Sequence, residues 1–235
     1  MKFDPHIHSI YSCDSRSEPI DILIQAEQIG LDAIAISDHN EIKGSRLARS
    51  IPGSIIVVPS IEISTDKGHI LGLGVDEIIP KGLSAVETVD RIHDAGGLAI
   101  VPHPFSYYRH GLFCKVDKNL GVDGVETKNA RYIFGYSNKQ AQTLAYNKRL
   151  ATLGASDSHF LKSIGDAYTE VNTKGNDSVD GILKAIKHRR CKAVGHRTSN
   201  FLIAKEVFVK KVLRRYPKRD ELLPFWHLRF DNFFY

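Results

Sequence analysis

The chain is poor in cysteine and has no long apolar run, and each absence removes a class of protein. Its three cysteines, Cys13, Cys114 and Cys191, lie far apart and form no CxxC pair. That excludes a disulfide-stapled domain, and the thiols are expected to stay reduced in a cytoplasmic protein. No apolar run approaches the length of a membrane span. The first motif begins at His6, so no signal peptide is expected ahead of it. There is no GxSxG elbow and no P-loop, which argues against a serine nucleophile and a glycine-rich phosphate cradle. Internal repeats and low-complexity segments are missing too.

What remains is an ordinary globular composition, 42% hydrophobic and 25% charged over 235 residues. Such a chain buries a sizeable core without disulfide help. The length suits one α/β barrel or, less comfortably, two small domains. The formal net charge is +5. A positive balance fits an anionic partner, either a phosphorylated small molecule or a nucleic acid. Most of this charge nevertheless reads as solvated surface.

Apolar runs alternate with helical patterns. Strands are expected at 2–6, 32–37, 55–59, 69–75, 98–101, 121–126, 151–155 and 167–171, the last closing the set. Helices are expected at 19–29, 42–49, 84–95, 138–150 and 178–188. Pro19 sits at the first position of its helix and Gly30 stops it. Ser84 is an N-cap with Glu87 three residues on. This order predicts a (β/α) barrel of about seven repeats over residues 1–198. Residues 106–119 form a long loop of the kind that lies over a site. Residues 199–235 differ: a basic amphipathic helix precedes Phe225, Trp226, Phe230, Phe233, Phe234 and Tyr235. This tail is expected to pack on the barrel or on a partner subunit, with a nucleic-acid stacking surface as the other reading.

Metal-type side chains follow the strands in small groups: His6 and His8, Asp14, His39, Glu62, His69, His103, then Asp157 with His159. Barrel strand ends converge on one face. In HxH both imidazoles point the same way, because strand side chains alternate. A lone His39 or His103 is more often structural, and a lone Glu62 reads equally as a helix cap or a surface acid. Six imidazoles and three carboxylates aimed at one point have little use except binding metal ions.

In order, His6-Ile7-His8-Ser9, Ser37-Asp38-His39-Asn40, Glu62 with Gly68-His69, Val101-Pro102-His103-Pro104 and Gly154-Ala155-Ser156-Asp157-Ser158-His159 resemble the successive motifs of the polymerase and histidinol phosphatase (PHP) superfamily. The resemblance spans residues 1–198. It implies a distorted, TIM-like (β/α)7 barrel holding up to three divalent ions. By matched position, one ion takes His6, His8, Glu62 and Asp157. A second shares Glu62 and takes His69 and His103, and a third takes Asp14, His39 and His159. Glu62, His103 and His159 are the expected catalytic positions. The donor set suits zinc, manganese or iron. Water held between two such ions loses its proton near neutral pH and attacks a phosphoester. The implied activity is a metal-dependent phosphoesterase acting on a phosphomonoester, a nucleotide or an oligonucleotide end.

Asp38 has two readings, a hydrogen-bond partner that fixes a ligand imidazole or a cap for the helix that follows it. Arg109, His110, Lys128, Arg131 and Arg197 are candidate phosphate grips. Two other functions stay open. Amidohydrolases also use HxH on a barrel, but they favour a strand-end lysine, and Lys67 is a loop residue. The archaeal RNase P protein subunit resembles this barrel as an RNA-binding scaffold, so fold alone does not establish catalysis. A scaffold has no need of a full set of buried donors.

Overall fold

The computed structural model describes residues 1–106, 111–112, 120–133 and 135–213. Arg109, His110, Cys114 and the aromatic tail lie outside the described residues.

Chain order is β1 (Lys2–Ile7), α1 (Pro19–Gln28), β2 (Ala33–Ile36), α2 (Lys43–Ser50), β3 (Ile56–Val57), β4 (Ser60–Ser64), β5 (His69–Leu73), α3 (Ala85–Asp94), β6 (Leu98–Val101), β7 (Gly124–Asn129), α4 (Tyr136–Lys148), β8 (Ala151–Ala155), β9 (Ala167–Val171), α5 (Val179–Lys187), β10 (Cys191–Gly195) and α6 (Asn200–Leu213). Local chemistry sets many of these bounds. Pro19 occupies the first turn of α1, and Gly30 follows it at φ 73°. Ser84 and Ser178 cap α3 and α5 by accepting hydrogen bonds from the Glu87 and Gly181 amides.

The strands form two five-stranded mixed sheets, ordered β10-β9-β1-β2-β3 and β4-β5-β6-β7-β8. β5 runs antiparallel to β4 and β6, and β9 runs antiparallel to β1 and β10. The two sheets are stitched at both sides. Ile7 and Ser158 form one isolated parallel bridge, and His39 and Glu62 form the other. Thr169 of β9 clamps Gly154 of β8, accepting from its amide at 3.1 Å and donating to its carbonyl at 2.9 Å.

Several strand expectations are corrected. The run expected at 55–59 ends early, and after Pro59 the chain enters β4. Glu62 therefore sits inside a strand rather than past its end. β7 starts at Gly124 and continues through the polar Thr127, Lys128 and Asn129. Pairing with β8 out to Ala155 holds these polar residues extended. The strand at 167–171 is not the last, since β10 pairs antiparallel with it.

The core is apolar and spread between the sheets and their helices. Phe3, Leu71, Leu73, Ile100 and Ile182 are fully buried in one cluster, and Ile22, Ile34 and Ile36 in another. No helix among the described residues is long and apolar enough to cross a membrane.

Candidate metal centre

Strand direction brings the nine donors to one end of the sheets. His6 and His8 leave β1, His39 leaves β2, His103 leaves β6, and Asp157 and His159 leave β8. His69 starts β5, yet it reaches the same end because β5 is reversed against β4. Two of these residues and one neighbour carry unusual backbone. His103 and Asp157 adopt φ of 28° and 51°, and Asn40 beside His39 adopts 53°. Such values are uncommon outside glycine and collect at functional sites.

Glu62 is the centre of the cluster and is fully buried. Its Oε1 lies 2.9 Å from His69 Nδ1 and 3.2 Å from His103 Nε2. Its Oε2 lies 3.6 Å from both His6 Nε2 and His8 Nε2 and 2.7 Å from His39 Nδ1. No hydrogen bond of proper geometry satisfies Oε2. His6 Nε2 and His8 Nε2 are 3.0 Å apart, and Asp157 Oδ1 is 3.9 and 3.6 Å from them. Four ligands around a tetrahedral zinc ion stand about 3.4 Å from one another. Beyond His8, Asp14 Oδ2 lies 3.1 Å from His159 Nε2 and 3.5 Å from His39 Nε2.

Three overlapping groups emerge: His6, His8 and Asp157; His39, Glu62 and His69; and His8, Asp14, His39 and His159. They share members with the expected groupings and differ from them. His39 stands with Glu62 and His69 as well as with Asp14 and His159, His8 joins the Asp14 group, and Glu62 is absent from the first group and His103 from the second. Exposure is graded: the side chains of His39 and His69 are 21% and 11% exposed, and that of His6 is 0%. The cluster therefore opens to solvent on the His39 and His69 side.

Charge within the cluster alternates. Burial opposes ionisation of Glu62, but the imidazoles of His69, His39 and His6 outweigh it and hold its carboxyl well below the usual range. Asp14 is likewise held low, against burial, by His159 and His39. Burial also opposes the charge of His6, yet Asp157, Glu126 and Glu62 lift it well above the usual imidazole range. His39, facing Glu62 and Asp14, is pushed up to about 11 despite its burial. Burial and the neighbouring His159 and His39 press His8 well below the usual range. Burial and Arg131 bring His159 to about 4. Closely spaced imidazole nitrogens and carboxylates thus hold protons where cations fit, and an orphaned buried carboxylate oxygen points the same way. The donor set, rich in nitrogen and oxygen and without thiolate, fits divalent ions.

The partners behind the donors were only partly legible. Asp38 does not cap α2, whose N-cap is Ile42. Its carboxylate accepts from the Ser9 amide at 2.7 Å, Ser9 Oγ at 2.6 Å and Ser12 Oγ at 2.8 Å. Ser12 Oγ in turn meets His8 Nδ1 at 3.0 Å, so Asp38 reaches His8 through a serine. Two buried residues on β7 were missed. Glu126 meets His6 Nδ1 at 2.8 Å, and Asn129 Nδ2 donates to Asp157 Oδ2 at 3.1 Å. The available signal was an acid at the end of the strand expected at 121–126. Asp4, buried on β1 and pushed up to about 6 by that burial, accepts from the Ser156 and Gly165 amides and was also missed.

Among the described cationic candidates, Arg131 touches the cluster. Its Nη1 is 3.0 Å from His159 Nδ1 and 3.6 Å from Asp157 Oδ1. Lys128 Nζ donates to the Gly195 carbonyl at 2.9 Å, and Arg197 donates to the Ile133 carbonyl. The first contact ties β7 to β10, and the second ties the segment after β10 to the one before α4.

A mixed α/β fold with a buried histidine–carboxylate cluster at one end defines a class of metal-binding α/β proteins. Residues 135–191 match the PHP-associated family PHP_C. The chain is 39% identical over 165 residues to the uncharacterised protein MJ1587 of Methanocaldococcus jannaschii, covering 65% of this chain and 94% of the relative. A second uncharacterised protein of that organism, MJ0417, is 32% identical over 192 residues, covering 76% and 75%. In structure the chain is similar to a two-domain Bacteroides vulgatus protein containing a PHP-like metal-dependent phosphoesterase, at TM-score 0.70 and 21% identity over 89% of this chain and 69% of that one. It is also similar to Endonuclease Q in complex with a 27-mer duplex carrying an abasic lesion, at TM-score 0.63 and 19% identity over 83% of this chain and 60% of that one. The chain belongs to the PHP superfamily.

Proposed function

We propose that this protein is a metal-dependent phosphoesterase that hydrolyses a phosphomonoester or the phosphate of a nucleotide or oligonucleotide end. The observation that carries this reading is Glu62, whose two oxygens face two different sets of imidazoles from the middle of the cluster. A carboxylate so placed suits two neighbouring cations. One ion would be held by His6, His8, Glu62 and Asp157, a second by Glu62, His69 and His103, and a third by Asp14, His39 and His159. Bound zinc, manganese or iron supplies an activated water nucleophile and neutralises phosphoryl charge.

The chain's own residues do the rest. Arg131, with its side chain only 10% exposed beside Asp157 and His159, offers a guanidinium to a phosphoryl oxygen. His39 and His69, the more exposed donors, mark the side from which substrate enters. Depth at His6 and Glu62 excludes bulk water. The two isolated bridges between the sheets support reading them as halves of a distorted (β/α)7 barrel. Cys13 and Cys191 are free thiols, which fits a reducing, cytoplasmic setting. The duplex complex of the similar Endonuclease Q keeps nucleic-acid phosphates among the substrates. Lys67 pairs with Asp66 at the surface, a placement that disfavours amidohydrolase chemistry.

The test is phosphate release by manganese-loaded, zinc-loaded and metal-stripped protein, with Asp157→Ala as control. Substrates are nucleoside mono- and bisphosphates, histidinol phosphate and short oligonucleotides. Metal-dependent release that the control lacks is expected. Absence of release under every loading, together with salt-sensitive RNA binding, would replace this reading with the scaffold.

A further inference from the structure

We infer that Glu126 is a positioning residue that fixes the ion-binding tautomer of His6 and ties the donors of two neighbouring ion groups into one unit. The inference rests on the metal-centre reading above and goes beyond it to a residue outside the nine donors.

Glu126 lies in the middle of β7 and is fully buried. A carboxylate in that position is costly unless donors surround it. Three do. Oε1 meets His6 Nδ1 at 2.8 Å. Oε2 accepts from the His103 amide at 2.9 Å and from Asn129 Nδ2 at 2.8 Å. An ionised carboxylate only accepts hydrogen bonds, so His6 Nδ1 carries the proton. Its other nitrogen, Nε2, faces His8, Glu62 and Asp157. That is the nitrogen an ion needs. A carboxylate behind a ligand imidazole also raises its basicity and holds its plane.

The second oxygen gives Glu126 its wider role. The His103 amide it accepts from belongs to a residue at φ 28°, and the hydrogen bond supports that uncommon backbone. Asn129 Nδ2 bonds Glu126 and also reaches Asp157 Oδ2 at 3.1 Å. One carboxylate therefore holds His6 from β1 and His103 after β6 directly, and Asp157 after β8 through Asn129. His6 and Asp157 belong to the first proposed ion, and His103 belongs to the second. Disturbing Glu126 loosens both.

Glu126→Gln tests this because it keeps the shape and changes the chemistry. A single amide oxygen satisfies the two N–H donors on the Oε2 side, which leaves an N–H pointing at His6 Nδ1. His6 must then carry its proton on Nε2, inside the ion site. Glu126→Asp is the worse fit in length but remains a pure acceptor. A purely structural role ranks Gln above Asp, whereas a tautomer-fixing role ranks Asp above Gln.

Cobalt binding to stripped wild type, Glu126→Gln and Glu126→Asp is followed by visible absorbance, with bound ion counted after dialysis and folding checked by circular dichroism. The expected result is a folded Glu126→Gln protein whose ion affinity falls about 10–100-fold, with Glu126→Asp in between. Nitrogen-15 NMR of zinc-loaded wild type should show His6 protonated on Nδ1, a readout that needs no variant. Glu126→Gln binding cobalt as tightly as wild type, or more tightly than Glu126→Asp, overturns the inference. A His6 proton on Nε2 in the wild type does the same. Failure of wild type itself to bind cobalt defeats the metal-centre reading instead, so the two failures are distinguishable.

Discussion

At the scale of single residues, the donors differ in what stands behind them. His8 is backed by Ser12 and, through it, Asp38. Ser12 Oγ also accepts from the His39 amide at 3.1 Å, so its one proton goes to Asp38. His8 Nδ1 must then donate to Ser12, leaving Nε2 as the lone pair. Asp38→Asn disturbs that relay, and the expected outcome is ion affinity about 10–100-fold weaker in a folded protein, read by metal titration. His8→Ala and Asp157→Ala remove donors outright and should lower metal content and abolish turnover while the circular dichroism stays native. Full metal occupancy with normal activity in either variant would sink the site assignment. The cluster also predicts a pH dependence. Glu62 and Asp14 hold His39 at about 11, and Asp157, Glu126 and Glu62 hold His6 well above its ordinary value, in both cases against burial. Ions must displace those protons, so binding releases protons and weakens as pH falls. Calorimetry of zinc binding in buffers of different ionisation enthalpy should show this release, and no release would contradict it.

At the scale of elements, α2 shows how packing overrides propensity. Alanine normally exceeds glycine in a helix by roughly 0.5–1 kcal/mol. Gly44, however, faces Asp38 and Ser9, and a Cβ there would collide with Asp38 Oδ2 and Ser9 Oγ. Overpacking of this kind costs about 1–3 kcal/mol, so the clash wins. Gly44→Ala should lower the melting temperature and weaken ion binding together; a more stable variant with unchanged binding would refute the argument. On its outer face α2 is tied to Asp76 by Arg46 and Arg49 at 2.9 and 2.7 Å. Burial opposes ionisation of Asp76, but hydrogen bonds from Arg46 and Arg49 together prevail and lower its carboxyl below the ordinary 3.8. A lowered folded value means the stabilisation is present above 3.8 and is lost as pH falls through the folded value. Asp76 is 46% exposed, so solvent screens the pair. Asp76→Asn should cost under about 1 kcal/mol and less in high salt, measured by denaturant melts.

At the scale of the whole molecule, the cluster exists because two sheets meet. Its donors come from both: His6, His8 and His39 belong to or follow strands of the first sheet, while Glu62, His69, His103, Asp157 and His159 belong to or follow strands of the second. The seams that join the sheets therefore also set the spacing of the candidate donors. Thr169, fully buried, holds one seam with its hydroxyl on both backbone groups of Gly154. Thr169→Val keeps the shape and leaves that buried amide and carbonyl without the hydroxyl. The expected cost is about 1–3 kcal/mol, seen as a lower denaturant midpoint with an unchanged slope. Stability equal to wild type would mean that the seam tolerates its loss.

The sequence alone singled out the nine candidate donors, their order and much of the alternation of strands and helices. These are written locally, in apolar runs, caps such as Ser84 and Ser178, and histidines after strands. It also singled out Arg131 but could not separate it from Lys128 or Arg197, because a cation's partner is set by where its strand points. Only the tertiary structure divided the strands into two sheets, reversed β5 and β9, and added β10. Ladder partners decide these features, and a short polar run such as Thr127–Asn129 becomes a strand only when β8 lies beside it. Only the tertiary structure assigned Glu126, whose His6 partner is 120 residues away along the chain. A hydrogen bond across that separation leaves no periodic trace in the sequence, because it depends on two strands of different sheets arriving at the same place.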